Sequence, residues 1–152
     1  MLDCPKEPDV LKNWIIDQSV VIYQMSEHRN DFFLLHGITC SWALSNIIPL
    51  MKSEETKKEI LQTFLCILLG VYVAQDRPKL VPQHLEAPDV GSVSWDDIIG
   101  RTLKQPSELD EHEYKLVQVC YEASFRNPGM SDILKRACLT VHYFDFYFGT
   151  KI

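Results

Sequence analysis

Basic clusters, paired cysteines and alternating strand patterns of useful length are all missing from this 152-residue chain, and each gap removes a class of protein. Lys and Arg number 15 against 21 Asp and Glu, and no basic run is interleaved with aromatics, so the electrostatic footprint of a nucleic-acid binder is lacking. The five cysteines, Cys4, Cys40, Cys66, Cys120 and Cys138, contain no CxxC pair, which argues against a zinc ribbon or a disulfide framework. They read as reduced, mostly buried thiols in a cytoplasmic protein. The opening MLDCPKEPDV has neither a basic nor an apolar leader segment, so no secretory signal is expected. The most apolar run, Leu61 to Ala74, is too short for a bilayer span and reads as a core helix. No GxGxxG turn is present to hold a dinucleotide.

What is there is helix almost throughout. With 46% hydrophobic and 24% charged residues, residues 1–152 suit a single domain with one core. A helix from about Asp9 to Met25 carries Val10, Trp14, Ile15, Val21 and Ile22 and ends in the polar turn SEHRND. A second, from Asp31, closes between Pro49 and Ser53. Ser53 caps a third, with Glu54 and Glu55 at its positive end, which runs to about Gln75. Residues 77–93, punctuated by Pro78, Pro82, Pro88 and Gly91, form a loop. Ser94 and Asp97 make a capping box for a fourth helix, although Gly100 weakens it. Pro106 and Ser107 open a fifth that lasts to about Phe125, and Ser131 starts a sixth that ends at Gly149. The fold class is all-α, about six helices around a largely apolar core.

Two histidines fall on apolar faces. His36 lies within DFFLLHGITCSWALSNIIPL, which has no charge between Asp31 and Lys52, and shares a stripe with Phe33, Cys40 and Ile47. His112 shares another with Leu109, Leu116 and Ala123. A histidine so placed is either a core residue satisfied by a carbonyl and a water or a metal ligand. Lys115, one turn after His112, has the spacing at which two ligands meet one ion. As an ammonium it repels a cation, and Glu111 four residues earlier is its natural partner. Only desolvation, followed by carboxylation of the neutral amine, would turn it into an oxygen ligand. His28 lies in a polar turn and His84 in the proline-rich loop, where solvation is expected. His142 is spaced for an ordinary hydrogen bond to Asp145.

Three segments, in order, carry a resemblance: Phe-Phe-Leu-Leu-His-Gly-Ile-Thr around His36, Tyr-Val-Ala-x-x-Arg-Pro-x-Leu from Tyr72 to Leu80, and Asp-Glu-His-x-x-Lys from Asp110 to Lys115. Together they resemble the C-terminal half of the questin oxidase-like family, also called Baeyer–Villiger oxidase-like. The resemblance implies an all-helical oxidoreductase that inserts oxygen into, or cleaves, polyketide-derived aromatic compounds. It implies non-haem iron held by His36, His112 and Lys115 as a carboxylated lysine, with no catalytic residue assigned beyond these ligands. Two imidazoles and one carboxylate-like oxygen leave iron(II) open positions for oxygen and substrate. NADPH is implied by the resemblance alone. The family's N-terminal half, with further histidines, has no counterpart here. The domain is therefore expected to be incomplete, exposing an apolar patch beside His36 where self-association or a partner supplies cover. A catalytically silent helical scaffold derived from the same family is the alternative.

Overall fold

The computed structural model describes residues 4–86, 90, 92–104 and 111–148. Six helices follow in order: α1 (Pro8–Met25), α2 (Phe32–Ile47), α3 (Glu54–Ala74), α4 (Trp95–Lys104), α5 (Glu111–Arg126) and α6 (Ser131–Tyr143). Among the described residues there is no strand, and the chain is all-α. Single 3₁₀ turns sit at Ile48–Leu50, Pro82–Leu85 and Pro128–Met130.

α1 is the spine. Leu11, Ile15, Ile16, Val20 and Tyr23 recur at three-to-five-residue intervals and are all buried, so one stripe faces the rest of the bundle. The upper part of that stripe meets Leu35 and Ile38 of α2, Ile98 of α4, Leu116 and Cys120 of α5, and Leu134 and Cys138 of α6. Its lower part, Leu11 and Ile15, packs with Ile48 and Leu61 in a second, smaller cluster. α1 and α2 approach closely enough for the Ser19 and Ser41 hydroxyls to bond at 3.1 Å. Residues 32–50 are the one stretch of described chain long and apolar enough to cross a membrane, but Leu34, Leu35 and Ile38 of this stretch belong to the core.

The capping signals are realised. Ser53 Oγ accepts from the Thr56 N–H at 3.2 Å, and Ser94 and Asp97 bond reciprocally, side chain to backbone, at 3.1 Å. Asp31 caps α2 by accepting from the N–H groups of Phe33 and Leu34 at 2.9 and 3.0 Å, while fully buried. Burial raises its carboxyl pKa, and the two N–H donors hold it down in part. An Asp31→Ala variant strands both donors away from water, and we expect a loss of about 1–2 kcal/mol in urea denaturation, with Asp31→Asn recovering most of it.

Four expectations need correction. α6 does not reach Gly149, which is outside the described residues, but stops at Tyr143. Beyond it the backbone turns extended and binds the α1–α2 loop, Tyr147 N–H donating to Asn30 O at 3.0 Å and Phe32 N–H to Tyr147 O at 2.9 Å. Those interstrand-type bonds satisfy backbone groups that a helix would otherwise have used. The opening of the fifth helix at Pro106 and Ser107 also lies outside the described residues. Second, the apolar helix α3 is an outer helix with Leu61 as its one fully buried residue, and Ile67, Leu69 and Val73 are each more than half exposed. Its composition asks for cover on all sides, but the other described residues supply it on one.

Third, the thiols are not mostly buried: Cys4, Cys40 and Cys66 are exposed, and Cys120 and Cys138 are buried. All five are free. Burial, then the neighbouring Cys120, pushes the Cys138 thiol well above its ordinary pKa and keeps it protonated. Fourth, His142 bonds not Asp145 but Thr102 Oγ1, at 3.0 Å. Thr102 gives its own proton to Ile98 O, so His142 Nε2–H is the donor, and a buried Nδ1 has no partner among the described residues.

Burial, then the Arg101 charge, lowers the His142 pKa below the usual 6.5. The neutral ring is thus favoured by the fold. Its contribution is complete above the unfolded-state pKa and is lost as pH falls below it, because the unfolded chain takes up the proton first. We expect the parent to lose more stability than His142→Gln between pH 7.5 and 5.5 in denaturant titrations. Equal losses would mean that His142 does not titrate against the fold.

Candidate functional site

α2 and α5 run in the same direction, tied by Trp42 Nε1–H to Glu122 at 2.8 Å and by Arg126 to Ser45 Oγ at 3.3 Å. Leu34, Leu35 and Ile38 turn one side of α2 inward, as do Leu116, Val119 and Cys120 of α5. The parallel arrangement brings the N-terminal turns together. His36 and His112 meet there, Nε2 to Nε2 at 3.1 Å, with ring centroids 4.7 Å apart.

The proton positions follow from the partners. His36 Nδ1 is 2.7 Å from the carbonyl oxygen of Phe32, one turn earlier, and a carbonyl can only accept. Nδ1 of neutral His36 therefore carries the proton, and Nε2 offers a lone pair toward His112. Two nitrogen lone pairs this close repel unless a proton or a cation lies between them. Here His112 Nε2–H donates to His36 Nε2, and a cation is the other occupant that this arrangement of lone pairs accepts. A carbonyl on the outer nitrogen is also the arrangement that orients metal-bound histidines.

Aromatic rings wall the pair. The Phe32 ring centroid is 4.6 Å from that of His36 and 4.7 Å from that of His112, and Phe146 lies 6.3 Å from His112. Phe148 closes on Phe32 at 4.7 Å. These rings were not among the residues singled out from sequence. Phe32 could have been, since it stands four residues before His36 on the same helix face. Phe144, Phe146 and Phe148 alternate in FDFYF, an extended-chain signal masked by the helical run before it.

Lys115 bonds Glu111 and neither imidazole among the described residues, so its placement lends no support to the ligand role that the resemblance implies. Its ammonium donates to Glu111 Oε1 at 2.7 Å, and its side chain is 49% exposed. Glu four residues before Lys is the favourable helical order, and this pair uses it. His28 stacks on Tyr147 at 4.1 Å and His84 Nδ1 bonds Ser26 O at 3.1 Å, so neither approaches the pair as a substitute.

The separation of the two imidazole nitrogens is one at which both could reach a single ion, but two nitrogens do not make a whole coordination sphere. Nitrogens at about 2.1 Å from one ion and at right angles to each other are about 3 Å apart, matching the His36–His112 separation. Among the described residues no group of three His, Cys, Asp or Glu could hold a metal ion.

A family model described as questin oxidase-like matches residues 14–120, spanning α1 to most of α5 and including both histidines. The chain belongs to the questin oxidase-like family, an oxidoreductase-type family. No curated protein and no solved structure matched the chain.

Proposed function

We propose that this chain is a questin oxidase-like oxidoreductase whose His36 and His112 hold a non-haem iron, acting on polyketide-derived aromatic compounds by oxygen insertion or ring cleavage. The observation that carries the reading is the meeting of two imidazoles, 76 residues apart in sequence, through their Nε2 atoms at 3.1 Å inside the matched region. Iron would supply activation of dioxygen. The chain's own groups would do the rest: Phe32 O would hold the His36 tautomer through Nδ1–H, and Phe32, Phe146 and Phe148 would exclude water and offer flat apolar surface to an aromatic substrate.

The remaining ligands would come from whatever covers the outer faces of α2 and α3. Phe33, Cys40 and Ile47 on α2 and Ile67, Leu69 and Val73 on α3 are exposed, a surface that suits a further copy or a companion polypeptide supplying the family's N-terminal half. Five free thiols suit a reducing, cytoplasmic setting. Anaerobic iron(II) titration of the purified chain tests the site, and oxygen consumption with and without NADPH tests the cofactor. The silent-scaffold reading draws support from Lys115, which is committed to Glu111. Iron binding no tighter than that of a variant lacking both histidines would favour it.

A further inference from the structure

A cleft of about 460 Å³, lined by neither His36 nor His112, lies between the end of α1, α4 and α6. That volume is in the range of small-molecule sites. Arg29, Arg101 and Arg136 all line it, and no carboxylate does among the described residues. In a chain of net charge −6, three guanidiniums around one cleft are a concentration of charge against the overall balance. Arg29 and Arg101 form no ion pair with any described residue.

Arg29 is held in place rather than waving in solvent. Its Nη2 donates to Thr140 Oγ1 at 3.1 Å, its guanidinium lies 4.8 Å over the Phe144 ring, and its Nε is buried with no partner among the described residues. Gln24 Nε2 bonds the same buried Thr140 hydroxyl at 3.0 Å, so the anchoring point is itself fixed from α1. Arg101, on the rim, donates to Tyr143 Oη at 2.6 Å. Val90, Val93, Leu139 and Phe144 give the remaining wall its apolar part, and His84, bonded through Nδ1 to Ser26 O, adds a polar edge. A partly desolvated cation with an unused N–H is costly unless an anion offsets it, and a guanidinium fork matches a carboxylate.

We infer that this cleft binds an amphipathic organic acid, its carboxylate received by Arg29 and Arg101 and its apolar body laid against Val93, Leu139 and Phe144. The recognition does not use His36 or His112 and is independent of the iron reading. The test is calorimetric titration of the whole chain with 2-naphthoate, with naphthalene-2-carboxamide as neutral isostere and inorganic phosphate as bare anion. Naphthoate is expected to bind at least tenfold more tightly than either probe, each charge-assisted bond being large enough to account for a factor of ten. Arg29→Gln and Arg101→Gln should each weaken naphthoate about tenfold or more, while His36→Ala leaves it unchanged. Should Arg29→Gln fail to fold, the exposed Arg101→Gln decides alone. Equal binding of acid and amide, or unchanged affinity in folded Arg101→Gln, overturns the anion site. Phosphate binding as tightly as naphthoate overturns the apolar half of the proposal.

Discussion

Alanine at position 35 is expected to lower stability by about 2–5 kcal/mol, the range for truncating a fully buried leucine. Leu35 has no exposed surface and belongs to the main core cluster with Ile38, Leu116 and Cys120. Removing its branched end takes away the transfer free energy of the lost carbons and leaves a void that four helices would have to move to fill. For a chain of this size each kcal/mol shifts Tm by about 2–4 °C, so thermal unfolding should fall by roughly 10 °C. Leu50→Ala is the control, since that side chain is 81% exposed and its loss should change stability by less than about 0.5 kcal/mol. Because Leu35 adjoins His36 on α2, the same void should also broaden the His36 imidazole signals in NMR. A Tm within about 2 °C of the parent would mean that α2 does not pack through this face.

The second large effect concerns metal affinity. Changing a partner of a ligating histidine typically costs 10–100-fold in affinity, so losing the ligand itself in His36→Ala or His112→Ala should cost at least about 100-fold for iron(II). The two substitutions should be non-additive, the double variant binding about as weakly as either single one, because one imidazole alone cannot chelate. Lys115→Ala should stay within about twofold of the parent, as its ammonium is engaged by Glu111 rather than by the imidazoles. A His84→Ala variant serves as a control for a histidine away from the pair. If His112→Ala bound iron as well as the parent, the pair would be a hydrogen bond of the core and the scaffold reading would stand. A Lys115→Ala variant that lost most of its affinity would instead restore lysine to the ligand set.

Helix positions were legible because their causes are local. Ser53 before Glu54 and Glu55, Ser94 with Asp97, and the apolar spacing of α1 each act within one or two turns, so residue order alone expresses them. The ends that the local signals mark are the ends observed, within a residue or two, for α1 and α3 and for the starts of α2 and α4. The same holds for the pairing of Lys115 with Glu111, which was readable as the bland alternative from their i,i+4 spacing and is the one the structure adopts.

What the chain's order determined, then, was the all-α class, the caps, and the placing of His36 and His112 on apolar stripes. Tertiary packing alone decided the rest, because it depends on contacts between residues far apart in sequence. The parallel approach of α2 and α5 set the 3.1 Å between the two Nε2 atoms. The end of α6 at Tyr143 was decided by hydrogen bonds to residues 30–32, more than 100 positions away, and that break carried Phe146 to His112 and Phe148 to Phe32. Whether an apolar helix is covered was likewise beyond local reading: hydrophobicity states that α3 gains by burial, and only the arrangement of its neighbours leaves Ile67, Leu69 and Val73 exposed.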